Sequence, residues 1–171
     1  MSQRLKAALA VAVAIAVPAE GLRQVAYHDP GGVLTVCYGS TRGIDPAKTY
    51  SLAECQARLD ADMLAALESV ERCAPGVPEN VLAAFGDAVY NLGPEIVCDP
   101  VKSRAARLLA AGDVAAACRE LPRWDKARVG GVMVSLPGLT KRRAVEMEVC
   151  LGGVPSPPAP LPQAGEGRSV L

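Results

Sequence analysis

Apolar and polar positions alternate in a helical rhythm along most of the chain, and the one long exception stands near its start. From Ala7 to Ala19 no residue carries a charge, and the run is mostly Ala and Val. Further on, Leu52, Cys55, Leu59, Met63, Leu67 and Val70 recur at intervals of three and four, which places them on one face of a helix over 52–73. Ser51-Leu52-Ala53-Glu54 opens that helix as a capping box, in which hydroxyl and carboxylate satisfy free backbone N–H groups reciprocally. Pro75-Gly76 closes it. Val81, Leu82, Phe85, Val89 and Leu92 predict a second helix over 79–92, stopped by Gly93-Pro94. Shorter helices are expected at about 101–111, at 113–121 with Asp113 as N-cap, and at 138–151. Between 21 and 45 the rhythm breaks. Asp29-Pro30-Gly31-Gly32 is a strong turn signal, and Val33, Thr35, Val36, Cys37 and Tyr38 favour a strand, so a small hairpin is expected there. Five prolines within 154–162, with no core pattern, predict a disordered tail over 153–171.

Composition narrows the class. With 171 residues, half of them hydrophobic, the chain can bury one real core. Aromatics are few, and Ala, Leu and Val dominate, which suits an α+β fold that is mainly helical and argues against a β-sandwich. The 18 basic and 18 acidic residues cancel, so no overall field draws the protein to nucleic acid, and affinity must come from a shaped groove. His28 is the single histidine and the six cysteines form no C-x-x-C pair, so neither a metal nor a cofactor is expected. Disulfides are the better reading of the cysteines. Cys55 and Cys73 would lie roughly 27 Å apart on one helix, too far for a bridge. Pairing neighbours in sequence then gives 37 with 55, 73 with 98, and 118 with 150.

The N-terminus reads as an export signal, with Arg4 and Lys6 ahead of the apolar run. Thirteen helical residues span roughly 20 Å against a hydrocarbon core of about 30 Å, so the run would be a marginal membrane anchor. Val17-Pro18-Ala19 imitates a cleavage site, yet a cut there would leave Glu20 with no helix behind it. If Glu20 matters, the expectation is an uncleaved segment over 1–19 that leaves the membrane and becomes the first helix of a domain over 20–152. A buried helix of a cytosolic protein is the plainer alternative.

Glu20, Asp29 and Thr35 carry the candidate chemistry, in the order E-x8-D-x5-T. Hydrolysing a glycosidic bond near neutral pH takes one carboxylic acid to protonate the leaving oxygen and a second polar group to handle water on the opposite face. A helix end followed by a tight hairpin can bring such groups across one cleft. Spacing alone is weak: Asp29 is an ordinary turn residue by composition. Glu20 is less ordinary, because a helix C-terminus disfavours negative charge.

The context is more specific. EGLRQVAYHDPGGVLTVCYGST closely resembles the active-site segment of phage-type lysozymes, glycoside hydrolase family 24. Ala84-Phe85 with Tyr90-Asn91-Leu92-Gly93 is similar to the family's central helix, and Gly138 to Glu146, GLTKRRAVE, to its closing helix. With Arg123-Trp124 these segments run in family order over roughly 20–150. The apolar start and the cysteines resemble the exported, signal-arrest-release branch. The resemblance implies a lysozyme-like fold, with a small β-hairpin lobe and a helical lobe. It implies a muramidase that cuts the β-1,4 bond between N-acetylmuramic acid and N-acetylglucosamine in peptidoglycan glycan strands and so lyses the host. Glu20 would be the general acid, a role that calls for a carboxyl partly desolvated at the cleft floor. Asp29 and Thr35 would position water, or Asp29 would act as nucleophile.

By the same resemblance Tyr27, Tyr90 and Asn91 line the sugar groove, and Arg142 or Arg143 pairs with Glu20. The protein would be a monomer, exported to the host periplasm and tethered transiently to the inner membrane. No cysteine lies in the apolar segment, so thiol exchange cannot trigger release. Ser40 stands where relatives often have histidine, which removes one structural contact. A non-catalytic wall-binding protein of the same fold is the alternative, but a binder need not keep the Glu20, Asp29 and Thr35 set.

Overall fold

A computed structural model describes residues 1–29 and 31–153. Its helices are α1 (Gln3–Glu20), α2 (Leu52–Cys73), α3 (Glu79–Leu92), α4 (Glu95–Cys98), α5 (Arg104–Ala110), α6 (Val114–Cys118) and α7 (Pro137–Cys150). Two antiparallel hairpins interrupt them, β1 (Arg23–His28) with β2 (Leu34–Cys37), and β3 (Lys126–Val129) with β4 (Val132–Ser135). The architecture is the mainly helical α+β fold expected, with a small hairpin lobe beside a helical lobe.

The core forms around α3, where every residue from Val81 to Val89 is buried. A helix covered on all sides has no solvent face to supply, so its residues are apolar or small almost throughout. The expected face of α2, from Cys55 to Val70, packs against it. Gly86 sets their separation: a Cβ there would come within 2.4 Å of Leu67 Cδ2, so only glycine permits this approach. On another side α1 lays Ala8, Ala12, Ile15 and Ala16 into the same core. Arg4 fastens the start of α1, pairing with Glu71 near the end of α2 and donating to the Val77 carbonyl.

The local signals in the sequence act as expected. Ser51 Oγ accepts from Glu54 N at 3.2 Å while the Glu54 carboxylate accepts from Ser51 N at 2.8 Å. Asp113 Oδ1 caps α6 through Ala116 N at 3.1 Å. The three disulfides are Cys37–Cys55, Cys73–Cys98 and Cys118–Cys150, the pairs expected from joining neighbours in sequence. They join β2 to α2, α2 to α4, and α6 to α7.

Other expectations shift. The helix expected from 101 starts at Arg104, because Ser103 caps it, accepting from Ala106 N at 3.1 Å and donating to Ile96 O at 2.7 Å. The helix expected over 113–121 ends at Cys118, and Pro122 helps turn the chain into a 3-10 turn over Leu121–Trp124. Neither α4 nor the β3–β4 hairpin was anticipated. In that hairpin Val129 faces Val132 across Gly130-Gly131, with φ of +57° and +87° in the two-residue loop. The boundary expected between 19 and 20 falls inside one continuous helix. Among the described residues no helix is long and apolar enough to cross a membrane. The tail over 154–171 lies outside the described residues.

Candidate active-site cleft

Glu20 is the last residue of α1, and Gly21, at φ +70°, turns the chain at once into β1. In the first hairpin Tyr27 stands opposite Thr35, and paired residues on adjacent strands project to the same face. The register is irregular between Arg23 and Tyr27, so β1 gains length over β2 before this pair. Asp29 sits in the turn beyond, where its Oδ1 accepts from Gly31 N and Val33 N, both at 2.8 Å. Those two amides fix the carboxylate. Thr35 is buried, and its hydroxyl donates to Val33 O at 2.9 Å.

The far end of β2 reaches back over Glu20. Val36 and Ser40 exchange backbone hydrogen bonds of 2.9 and 3.0 Å, closing a tight return that puts Cys37 at φ +60° and Gly39 at φ +95°. A non-glycine residue in the left-handed region is costly, and Cys37 is held there by its bridge to Cys55 on α2. Gly39 supplies the backbone angle, and a Cβ there would lie in van der Waals contact with Glu20 Oε2 at 3.4 Å. The Tyr90 hydroxyl donates to Tyr38 O and straps the same return to α3.

These elements enclose a cleft of about 630 Å³, within the usual range for ligand sites. Glu20, Tyr27, Asp29, Thr35, Tyr90 and Asn91, all marked in the sequence, line it together. His28 is exposed at the end of β1. Asp62 and Ser69 on α2, with Thr41 and Arg42, also line the cleft and were not singled out beforehand. Asp62 carries no sequence signal, since one acid on the polar face of an amphipathic helix reads as solvated.

The choice between the two arginines is clear in the structure. Arg142 reaches Glu20 through Nη1, while its Nε and Nη2 donate to Asp87 Oδ2 at 2.8 Å and Oδ1 at 2.7 Å. Arg143 turns elsewhere, donating to Asn91 Oδ1 at 2.9 Å and lying 2.8 Å from Glu146 Oε1. Arg142, Arg143, Asp87 and Glu146 are all buried, whereas the Glu20 side chain keeps 22% of its surface open. Burial opposes the Arg142 charge, but Asp87 and then Glu20 more than offset it and raise the guanidinium. Burial first, and the Asp87 carboxylate second, push Glu146 well above the ordinary carboxylate range. Burial and the charge of Glu20 likewise raise the Tyr90 phenol, which stays a donor. Asp87 was legible in principle: beyond Glu79 in the first turn, it is the one acid of the apolar helix α3.

Ser40 is buried and accepts from Arg58 Nη1 at 3.4 Å. Arg58 also donates to Arg42 O at 2.8 Å and Gly43 O at 2.7 Å and stacks on Tyr50, so the hairpin edge is tied to α2 without a histidine.

Residues 18–146 match the family model described as Phage lysozyme. A SAR-endolysin of Bacteriophage PS119 is 40% identical over 136 residues, 78% of this chain and 77% of that protein. Among solved structures, an endolysin from Escherichia coli O157:H7 phage FAHEc1 has a TM-score of 0.72 at 25% identity, covering 90% of this chain and 94% of that one. The muramidase domain of SpmX from Asticaccaulis excentricus also gives 0.72, at 26% identity, over 85% of this chain and 95% of that one.

Proposed function

The chain belongs to the phage lysozyme family and is a muramidase that acts on the bacterial wall, and from that premise we propose how its cleft cuts the glycan. Glu20 donates a proton to the glycosidic oxygen. Asp29 and Thr35, on the opposite wall, hold the group that attacks the anomeric carbon. The observation that carries this reading is the convergence of Glu20, from the end of α1, with Asp29 and Thr35, from the hairpin, on one cleft. Two turn amides occupy Asp29 Oδ1, and Oδ2 has no hydrogen-bond partner among the described residues, which suits it to orient a water. Asn91 gives its Oδ1 to Arg143 and keeps its amide N–H groups for an N-acetyl or hydroxyl oxygen. Tyr27 supplies cleft surface. Tyr90 acts by holding the hairpin return over Glu20.

The test is digestion of purified peptidoglycan with identification of the new chain ends. Wild type should release reducing N-acetylmuramic acid ends, and Glu20→Gln should lose roughly 100-fold or more of the rate, within the usual share of a general acid. Anhydro ends would make the enzyme a transglycosylase, and an active Glu20→Gln with native circular dichroism would remove Glu20 from the mechanism.

The apolar N-terminal segment exports the chain and holds it at the inner membrane of the host until it is released into the periplasm. While the segment lies in the bilayer, Glu20 is kept at the membrane surface, away from the hairpin. Release lets α1 pack its Ala8, Ala12, Ile15 and Ala16 stripe against the body and brings Glu20 to Arg142. The released enzyme works as a monomer. Equal rates of hydrolysis by membrane-held and released enzyme would overturn this account of activation.

A further inference from the structure

Arg142 poses a problem for the acid it touches. A guanidinium beside a carboxyl favours the ionised form, while the role proposed for Glu20 needs the proton kept until the substrate arrives. The structure places a second carboxylate behind the same guanidinium. Asp87 grips Arg142 through two parallel bonds, 2.7 and 2.8 Å, and is fully buried, so its charge acts through a poorly screened interior.

We propose that Asp87 is a positioning residue for the acid: it fixes Arg142 in one orientation and balances its charge, so that the guanidinium orients Glu20 without drawing off its proton. The inference rests on Glu20 being the acid. Glu146 makes no hydrogen bond to Arg142, its nearest oxygen lying 3.7 Å from Nε, and burial followed by the neighbouring Asp87 raises its pKa well above the ordinary carboxylate range, so Asp87 is the main counter-charge. Arg143 faces Glu146 and Asn91 rather than Glu20. The other groups toward Glu20 are Tyr90 on α3, which stays neutral through the working range, Asp62 on α2, Arg42 on the segment after the hairpin return, and Asp29 on the hairpin itself. Asp87 is the carboxylate that grips the Nε–Nη2 edge of the guanidinium whose Nη1 is turned to Glu20.

The experiment is the pH dependence of kcat and KM on soluble peptidoglycan fragments for three proteins. In Asp87→Asn the alkaline limb of kcat should move down by about one pH unit or more, as an uncompensated cation beside a carboxyl would move it. Activity should then be nearly normal on the acid side and fall about tenfold near neutrality, with KM unchanged. Glu146→Gln should leave the limb where it is. The double variant Asp87→Asn/Arg142→Met removes the whole ion pair, a change that buried sites often tolerate, and its limb should lie at or above that of wild type. A uniform loss across all pH values in Asp87→Asn, or a downward move of the limb in the double variant, would overturn the proposal. An active Glu20→Gln strikes the underlying assignment instead, and the two failures are therefore distinguishable.

Discussion

α1 and α3 are both strongly apolar helices, yet they occupy the protein on different terms. α3 buries nine residues in succession, among them Val81, Leu82 and Phe85, and has neighbours on every side. α1 is longer but buries four, three of them alanine, along a single stripe. A fully buried large apolar side chain stabilises a fold by about 1.5–3 kcal/mol, and alanine offers only a fraction of that. Apolar composition therefore does not decide how firmly an element is held; side-chain volume at the contact does. α1 makes up the difference at its ends, through Arg4 to Glu71 and Val77 and through Glu20 to Arg142. It is a helix suited to arriving late.

Truncating the centre of α3 should have the largest effect. Phe85→Ala should destabilise the fold by about 3–5 kcal/mol, read as a lower midpoint of urea unfolding. A loss no greater than that of an alanine-sized change at the surface would place the core elsewhere. In α1 the informative change runs the other way. Ala12 is fully buried, and Ala12→Leu should overpack the α1–α3 contact and lose about 1–3 kcal/mol. A gain in stability would mean that the stripe is loosely packed.

Next comes the buried acid of α7 against α3. Because the folded state raises the pKa of Glu146 above its ordinary 4.5, the stability it contributes is present below that value and declines as pH rises toward the folded-state pKa. A pKa that differs by one between the folded and unfolded states corresponds to about 1.4 kcal/mol. Glu146→Gln should flatten this slope and raise the melting temperature at pH 7 relative to wild type, measured by calorimetry from pH 4 to pH 8. The smallest effect belongs to the clasp at the start of α1. Glu71→Gln leaves the charges of the N-terminal segment untouched, and the pair is about one-third exposed, so it should lose under about 1 kcal/mol. Its signature is a slower appearance of activity after release, with little change in unfolding.

The sequence revealed most where the determinants are local. α2 follows from its apolar period and the Ser51–Glu54 box, and its length rules out a Cys55–Cys73 bridge, leaving the pairing of sequence neighbours as the simplest choice. The β3–β4 hairpin escaped notice although Gly130-Gly131 is a fair turn signal. Val132, Met133 and Val134 are all exposed, and a ribbon exposed on both faces leaves no alternation to read. The meeting of Glu20, Asp29 and Thr35 on one cleft was legible from spacing and context. Arg142 and Arg143 were not separable, because adjacent helical residues point about 100° apart and the rotation of α7 is set by tertiary packing. Asp87 was overlooked for a related reason: the role of a buried acid depends on what the neighbouring helix brings to it.

The three disulfides join residues between Cys37 and Cys150, and every helix except α1 lies inside that interval. The cross-linked body therefore does not include α1, which is joined to it through residues 21–36 of the first hairpin. For so short a tether the effective concentration is on the order of millimolar or higher. An alanine stripe and two charged clasps, at Arg4 and at Glu20, then complete the cleft.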